Sequence, residues 1–289
     1  MSQATAEVAT TSRRWRRFRR NPTAAVGLAI VALVVLAAIF APWISPYPDH
    51  VGAVVNFRAR HQPPSAHYWL GTDNVGRDIL TRVLFGYRIS LILAATVLIF
   101  AVPVGVVLGL LAGYFGGWTE TIIMRANDIA LAIPPLVMAL AVTTVLTPGL
   151  VHSMLAIAAL WWTWHTRLIF SIVRTLRQQE FVEAAKTLGA SRFHILFREL
   201  LPNCASAILV KTSLDFGFVI LVGAALSYLG LGVQPPTPDL GTMVASGADF
   251  LPERWWESLF PGAAILVAAL GFNLLGDGMR DLFDVESVR

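Results

Sequence analysis

The sequence predicts an all-α polytopic membrane protein with six transmembrane helices. Of its 289 residues, 56% are hydrophobic and 14% are charged, whereas soluble domains carry about 25% charged residues. The apolar residues collect into runs about 20 residues long, which is the length of a helix that crosses a bilayer. Basic residues flank these runs, so membrane topology explains the net charge of +4 and nucleic acid is not expected as a partner.

The chain starts with a basic tail, residues 1–21, that we expect in the cytoplasm. Its arginines precede the first apolar run directly: Arg13, Arg14, Arg16, Arg17, Arg19 and Arg20. That run is longer than the core of a signal peptide, and Pro42-Trp43 stands where a cleavage site would need small residues. Asn21 and Pro22 suit the N-cap and first helical position. The sequence therefore predicts a retained first transmembrane helix.

Six apolar segments are predicted to span the membrane: Pro22 to Ile44, Ile89 to Tyr114, Ile122 to Leu146, Leu150 to Ser171, Ala205 to Gly230, and Phe260 to Leu275. An even number of crossings returns the C-terminus to the cytoplasm, and the basic residues between the fourth and fifth segments then obey the positive-inside rule. The predicted organisation is a tail (1–21), a first helix with an external segment (22–88), a core of five transmembrane helices (89–280) and a cytoplasmic C-terminus (281–289).

The external segment that follows the first helix is too long for a simple turn and must fold against something. Its last part has the spacing of a helix lying at the membrane surface, with an apolar stripe of Ile79, Val83 and Leu84. The charged residues of that part are expected in water: Arg77, Asp78 and Arg82. An ordinary surface loop is the alternative.

Special residues mark the second, third and last predicted helices. Gly109 and Gly113 form a G-x-x-x-G pair that favours close helix packing in lipid. Pro134-Pro135 should distort the third helix near its middle, either to line a pathway or to fit a neighbour. The sequence also predicts that Gly276 and Gly278 end the last helix.

Charged residues inside the predicted spans have two interpretations. Lys211 and Asp215 are spaced i, i+4 and lie on one helix face; they either mark a pathway or neutralise each other so that the helix can insert. His152, His165 and Arg167 are interpreted as interface or packing residues, because no second cluster of metal ligands accompanies the histidines. No metal site is predicted.

The segment from Phe181 to Asn203 is charged and helix-forming, and it lies between two predicted spans. One apolar stripe is predicted for a first helix: Phe181, Ala184, Ala185 and Leu188. Gly189 should end this helix, with Glu183 and Lys186 facing water. Ser191 suits the N-cap of a second helix whose stripe, up to a stop at Pro202, is Phe193, Leu196, Phe197 and Leu200. Helices this short are unstable alone, so each stripe must pack on something.

This segment resembles the cytoplasmic coupling loop of ATP-binding-cassette importer permeases. The matching positions are Glu183, Ala184, Ala185, Gly189, Leu201 and Pro202. In that family the loop sits in a groove on an ATPase subunit, so the resemblance gives the coupling loop (174–203) an ATPase-docking role, with Phe181, Leu188 and Phe193 among its contacts. A helix lying on lipid headgroups is the alternative.

Further blocks resemble the C-type permease of peptide importers and extend the similarity over nearly the whole chain. They are the RRFRRNP start, Met124-Arg125 and Asp128 before IPPL, AALSYLGLGVQPPTPDLG from Ala224 to Gly241, and FNLLGDGMRDLFD from Phe272 to Asp284. The resemblance implies a type I importer permease fold with cytoplasmic coupling helices, located in the inner membrane. It implies import of oligopeptides or dipeptides, with nickel or another small solute as the alternative.

The same resemblance implies a set of partners. They are a second permease, two ATPase subunits or domains and an external substrate-binding protein, all beside membrane lipid. The chain has no G-x-x-x-x-G-K-[ST] phosphate loop, so ATP and Mg²⁺ are expected only in the ATPase partners and no cofactor in this chain. No catalytic residue is predicted, since H-E-x-x-H, G-x-S-x-G and paired cysteines are missing from the sequence. A passive channel or scaffold is the remaining alternative.

Overall fold

The computed structural model describes residues 22–145 and 147–284, and within these residues the chain forms nine α-helices and no strand. The helices are α1 (Pro22–Ile44), α2 (Ile79–Phe115), α3 (Gly117–Leu131), α4 (Pro135–Val145), α5 (Leu150–Leu176), α6 (Glu180–Thr187), α7 (Arg192–Tyr228), α8 (Leu240–Ala248) and α9 (Trp256–Asp284). The predicted basic tail 1–21, Leu146 and the last residues, 285–289, lie outside the described residues. The all-α prediction is confirmed.

Four helices are long and apolar enough to cross a membrane, namely α1, α2, α7 and α9. The pair α3 and α4 passes the same test only together, and it is bent by 81°, which fits either a fifth, broken span or a re-entrant loop. Helix α5 has the length of a span, with 27 residues, but its stretch from Trp161 to Arg167 contains three tryptophans, a histidine and an arginine, which lower its hydropathy. The number of six spans therefore stays a prediction, as do the predicted domain boundaries.

Helices α2 and α5 pack side by side, and glycines set the distance between them. Gly105, Gly109 and Gly113 recur every four residues on the face of α2 that meets α5. A Cβ atom at position 109 would lie 2.7 Å from the Ile169 Cβ atom and 2.7 Å from the Thr166 carbonyl oxygen. Only a residue without a side chain fits there, so the predicted packing role of the G-x-x-x-G pair is confirmed.

Helix α9 packs between α1 and α7, and its glycines serve this packing. The prediction that Gly276 and Gly278 end the last helix is wrong, because α9 continues to Asp284. A Cβ atom at 276 would lie 2.7 Å from the Leu214 Cδ2 atom, and one at 278 would collide with Ala24. These glycines therefore mark close approach to α7 and α1 rather than a C-cap.

The external segment folds against the same chain, and the predicted interfacial helix is the start of α2. The Asp78 side chain caps α2 by accepting a hydrogen bond from the Thr81 N–H at 2.7 Å, so the second span starts ten residues earlier than predicted. Asp78 and Arg82 are buried instead of wet. Arg82 Nη1 donates to the carbonyls of His50 and Pro236, both at 3.3 Å.

Two further contacts hold this external layer together. The His50 ring Nδ1 accepts a hydrogen bond from the Asp78 N–H at 2.9 Å, and burial lowers the pKa of His50 below its ordinary value, which suits a neutral acceptor. The His61 ring Nδ1 lies 2.6 Å from Glu257 Oε1 at the start of α9. The segment thus links the ends of α2 and α9 on one side of the molecule.

The third predicted span is interrupted where Pro134-Pro135 was expected to distort it. Helix α3 ends at Leu131 and α4 starts at Pro135, because Pro135 lacks an N–H and its ring disfavours a helical conformation at the residue before it. Helix α8 was not predicted. Its N-cap, Asp239, accepts a hydrogen bond from the Thr242 N–H at 3.0 Å, and burial raises the pKa of Asp239.

The glycine contacts between α2 and α5 make a prediction about stability. Replacing Gly109 with alanine should lower the free energy of unfolding by about 1–3 kcal/mol, since the added methyl group overpacks the helix pair. The matched control is Gly262→Ala in α9, where the nearest atom lies 3.9 Å from the added Cβ and no loss is expected. Thermal unfolding in detergent measures both. Equal stability of the two variants would contradict this account.

Candidate functional site

The predicted coupling loop, residues 174–203, consists of the end of α5, the short helix α6 and the first turns of α7. Helix α6 carries Glu180 and Glu183 in its first turn and Lys186 in its last, which is the order that the helix dipole favours. The Lys186 Nζ atom lies 2.7 Å from Glu183 Oε1 on the exposed side of the helix. Both side chains face solvent, as predicted.

Gly189 ends α6 in a Schellman motif. Its φ is +79°, in the left-handed region that glycine adopts without penalty. The Gly189 N–H donates to the Lys186 carbonyl at 3.0 Å, and the Ala190 N–H donates to the Ala185 carbonyl at 3.0 Å, the two bonds that define this motif. A Cβ atom at 189 would meet no atom within 4 Å, so backbone conformation alone selects glycine.

The second helix of the loop begins where predicted but does not end where predicted. The Ser191 Oγ atom caps it by accepting a hydrogen bond from the His194 N–H at 3.2 Å. The prediction that Pro202 stops this helix is wrong, because the chain continues as one helix from Arg192 to Tyr228.

A wider helical turn explains why Pro202 is tolerated. Residues Ile195–Leu200 form a π-helical segment, and the Leu201 N–H reaches back five residues to the Leu196 carbonyl. Regular α-helix then starts at Leu201, which makes Pro202 one of its first residues. The missing N–H of a proline costs little at such a position. The loop and the membrane helix α7 are therefore continuous.

Apolar side chains anchor the loop to the membrane helices. Val182 of α6 is fully buried, and Ile195, Leu196 and Leu200 of α7 are at most 2% exposed. They join one cluster with residues of α2 and α5, among them Leu110, Ile169 and Val173. Sequence reasoning missed Val182 and Ile195 because a helix of two turns does not define the phase of its apolar stripe.

A second set of apolar side chains on the loop is exposed. We call it the apolar patch, and its members with their exposed fractions are Phe181 (37%), Leu188 (87%), Phe193 (74%) and Phe197 (46%). The rings of Phe193 and Phe197 stack with centroids 6.3 Å apart. Ala184 of the predicted stripe is exposed as well, and Ala185 is partly buried. Of the first predicted stripe only Ala185 is partly covered, whereas the second stripe is half buried, at Leu196 and Leu200. The described part of the chain does not cover the apolar patch.

A cluster of ionisable groups lies away from the loop, between α5 and α7. Lys211 Nζ and Asp215 Oδ1 form the predicted i, i+4 ion pair, and the His165 Nε2 atom lies 3.6 Å from Asp215 Oδ2. His165, which the sequence marked as an interface or packing residue, is fully buried in α5. The side chains of Asp215 and Lys211 are 6% and 29% exposed, so the cluster connects two helices inside the chain.

Metal ligands do not assemble in the residues that the structure describes. Within residues 22–145 and 147–284, no three histidine, cysteine or acidic side chains come close enough together to hold an ion. Cys204, the sole cysteine of the sequence, is buried beneath the loop. What the described geometry provides is an anchored loop with an apolar contact surface.

Comparison with known proteins identifies similar chains. Residues 105–286 match the family described as binding-protein-dependent transport system inner membrane component. Residues 11–64 match the N-terminal transmembrane domain of oligopeptide transport permease C. Together these two matches cover most of the sequence.

Individual relatives are similar over almost their full length. The probable D,D-dipeptide transport system permease protein of Escherichia coli (strain K12) is 42% identical over 267 residues, which are 92% of this chain and 89% of the relative. The dipeptide transport system permease protein of Alkalihalophilus pseudofirmus is 42% identical, over 93% and 88%. The oligopeptide transport system permease protein of Bacillus subtilis (strain 168) is 40% identical, over 93% and 87%.

The ionisable cluster predicts different effects for single and double substitutions. Lys211→Met leaves the Asp215 carboxylate buried without its cation and should destabilise the protein by about 3 kcal/mol or more. The double variant Lys211→Met, Asp215→Leu removes both charges and should be milder. Thermal unfolding and the yield of folded protein in detergent test this. A double variant that is less stable than Lys211→Met would show that the pair does more than neutralise itself.

Proposed function

Because the chain belongs to the family of binding-protein-dependent transport system inner membrane components, we propose that it is the permease subunit of an ATP-driven importer of dipeptides or oligopeptides. The relatives named above are permeases of dipeptide, D,D-dipeptide and oligopeptide transport systems. Those names favour peptides over nickel or another small solute as the transported class. The chain supplies half of the pathway, and a second permease supplies the other half.

One observation supports the coupling role more than any other. The loop carries apolar side chains on two sides, one buried against α2 and α5 and the other exposed as the apolar patch. Exposed side chains such as Leu188 and Phe193 are the kind of surface that a partner protein covers. We therefore place the ATPase subunit on the apolar patch.

The proposed topology has both termini in the cytoplasm and α5 as the sixth span. At about 1.5 Å per residue, a helix of the length of α5 is roughly 40 Å long, which exceeds the hydrocarbon thickness of about 30 Å. Its packing along α2 covers the face that contains His165. The loop then lies in the cytoplasm with a set of basic residues: Arg174, Arg177, Lys186, Arg192 and Arg198.

The geometry suggests how ATP hydrolysis in the partners would move this subunit. ATP and Mg²⁺ bind to the ATPase subunits, whose closure draws the docked loops together. Because the loop is continuous with α7 and packed on α2 and α5, displacement of the apolar patch moves these helices as a rigid body. Such motion alternates access to the pathway between the two sides of the membrane. An external binding protein delivers the peptide.

The apolar patch predicts where ATPase docking can be disrupted. Leu188→Asp places a charge in the proposed interface and should reduce the amount of ATPase subunit that copurifies at least tenfold, since a buried unpaired charge costs several kcal/mol. The matched control is Leu229→Asp. Leu229 is 51% exposed and holds the same C-cap position before Gly230, at the other end of the membrane helices. Equal loss in both variants, or in neither, would contradict docking on the loop.

Gly189 allows a matched test of coupling. Gly189→Val forces a β-branched residue into a left-handed conformation, which costs about 1–3 kcal/mol, and should lower peptide uptake per ATP hydrolysed in reconstituted vesicles. Gly230→Val is the control, because Gly230 has a φ of +80° and closes the same Schellman motif, in which the Gly230 N–H donates to the Ser227 carbonyl and the Leu231 N–H to the Leu226 carbonyl. Strain alone would impair both variants alike, whereas a coupling role impairs Gly189→Val more.

A further inference from the structure

A second pair of opposite charges connects α3 and α5. Its side chains are more exposed than those of the cluster formed by Lys211, Asp215 and His165. Asp128 Oδ1 and Arg167 Nη2 form an ion pair whose side chains are 54% and 53% exposed. The Asp215 and His165 side chains are 6% and 0% exposed. A pathway that runs between two permease subunits must be lined by residues that are exposed in the single chain. The Asp128–Arg167 pair meets this condition more fully than the cluster of Lys211, Asp215 and His165, in which only Lys211 is partly exposed, at 29%.

The exposed pair lies well away from the ends of its helices. Asp128 follows the first residue of α3, Gly117, by eleven residues, which corresponds to about 16 Å along the helix. Arg167 precedes the last residue of α5, Leu176, by nine residues, which corresponds to about 14 Å. In the proposed topology these ends lie at the cytoplasmic surface, so both charges reach far into a hydrocarbon layer about 30 Å thick.

Charge at this depth excludes lipid as the neighbour of the helix face that carries Arg167. Ionisable side chains within the hydrocarbon cost several kcal/mol and face a bundle interior or a water-filled cavity. His165 and Arg167 are two residues apart, about 200° around the helix, so α5 turns the buried cluster towards α7 and Arg167 away from it. The face with Arg167 must therefore meet water or the second permease.

The break between α3 and α4 lies directly after this pair. Helix α3 ends at Leu131, three residues beyond Asp128, and the chain bends by 81° before α4. In transporters, substrate sites form where a spanning helix is discontinuous, because the exposed backbone ends of the half-helices contact polar ligands. The break between α3 and α4 therefore lies next to the exposed charges of Asp128 and Arg167.

We propose that Asp128 and Arg167 line the translocation pathway and contact the charged ends of the transported peptide. Asp128 receives the N-terminal ammonium group and Arg167 the C-terminal carboxylate, a pairing that guanidinium geometry suits. Dipeptides with different side chains share these two charges at a similar separation, so recognition of the ends tolerates variation between the side chains. Without peptide the two residues neutralise each other. The substrate contact rests on the proposed function, peptide import.

Thiol accessibility tests the pathway position. In the assembled complex, Asp128→Cys, Arg167→Cys and the double variant are treated with a charged, water-soluble methanethiosulfonate reagent, with and without ATP. The native Cys204 is buried and stays silent. We expect the introduced thiols to react at least tenfold faster in one nucleotide state than in the other. The control is Ile129→Cys, next in sequence and 69% exposed, which should react slowly in both states.

The double variant removes both charges together. It therefore tests whether residues 128 and 167 line the pathway even where a single unpaired charge prevents assembly. Slow reaction of all three variants with and without ATP would overturn the pathway assignment. The accessibility result does not depend on what is transported, because the reagent reports water at the site. Absence of ATP-driven peptide uptake by the unmodified complex would instead refute the importer proposal.

Uptake kinetics test the substrate contact. Asp128→Asn should lower uptake of dialanine at subsaturating concentration about tenfold or more, as expected for the loss of one charge-assisted contact. The matched control is Glu120→Gln, since Glu120 lies on the same helix and 3.8 Å from an arginine of α5, Arg174. We expect uptake within twofold of the unmodified complex for this control. Equal uptake by Asp128→Asn and Glu120→Gln would overturn the substrate contact.

Discussion

The close contact of α2 and α5 is the constraint on which the rest of the structure depends. Gly105, Gly109 and Gly113 let the two backbones meet without intervening side chains, and in lipid such van der Waals packing replaces the hydrophobic effect as the force between helices. In the same stretch of the two helices, Leu110, Ile169 and Val173 provide the surface on which the loop is buried. A change in the distance between α2 and α5 would therefore displace the loop as well.

Helix α5 carries ionisable residues on two sides, one buried and one exposed. Its buried side carries His165, which meets Asp215 of α7 and connects the two helices that bracket the loop. Its exposed side carries Arg167, paired with Asp128 of α3. Charges on one side of α5 thus connect helices inside the chain, and the proposed ligand contact lies on the other side. His165 and Arg167, two of the residues that lower the hydropathy of α5, thus lie on opposite sides of it.

The sequence predicts features that depend on local backbone chemistry. Gly189 and Ser191 end and begin helices as expected, because a left-handed C-cap and a hydroxyl N-cap need only neighbouring residues. It does not predict features set by distant contacts. The π-helical turn that accommodates Pro202 and the burial of Val182 depend on packing between elements far apart in the chain.

The contrast between the two sides of the loop explains how force can pass through so short an element. Val182, Ile195, Leu196 and Leu200 are almost fully buried, and at about 1.5–3 kcal/mol each they contribute roughly 6–12 kcal/mol to holding the loop on the bundle. A partner on the apolar patch gains less, because Phe181 and Phe197 are already more than half buried. The anchor is therefore stronger than the docking contact. In the proposed coupling, a pull on the patch would move the helices beneath it before it detached the loop from them.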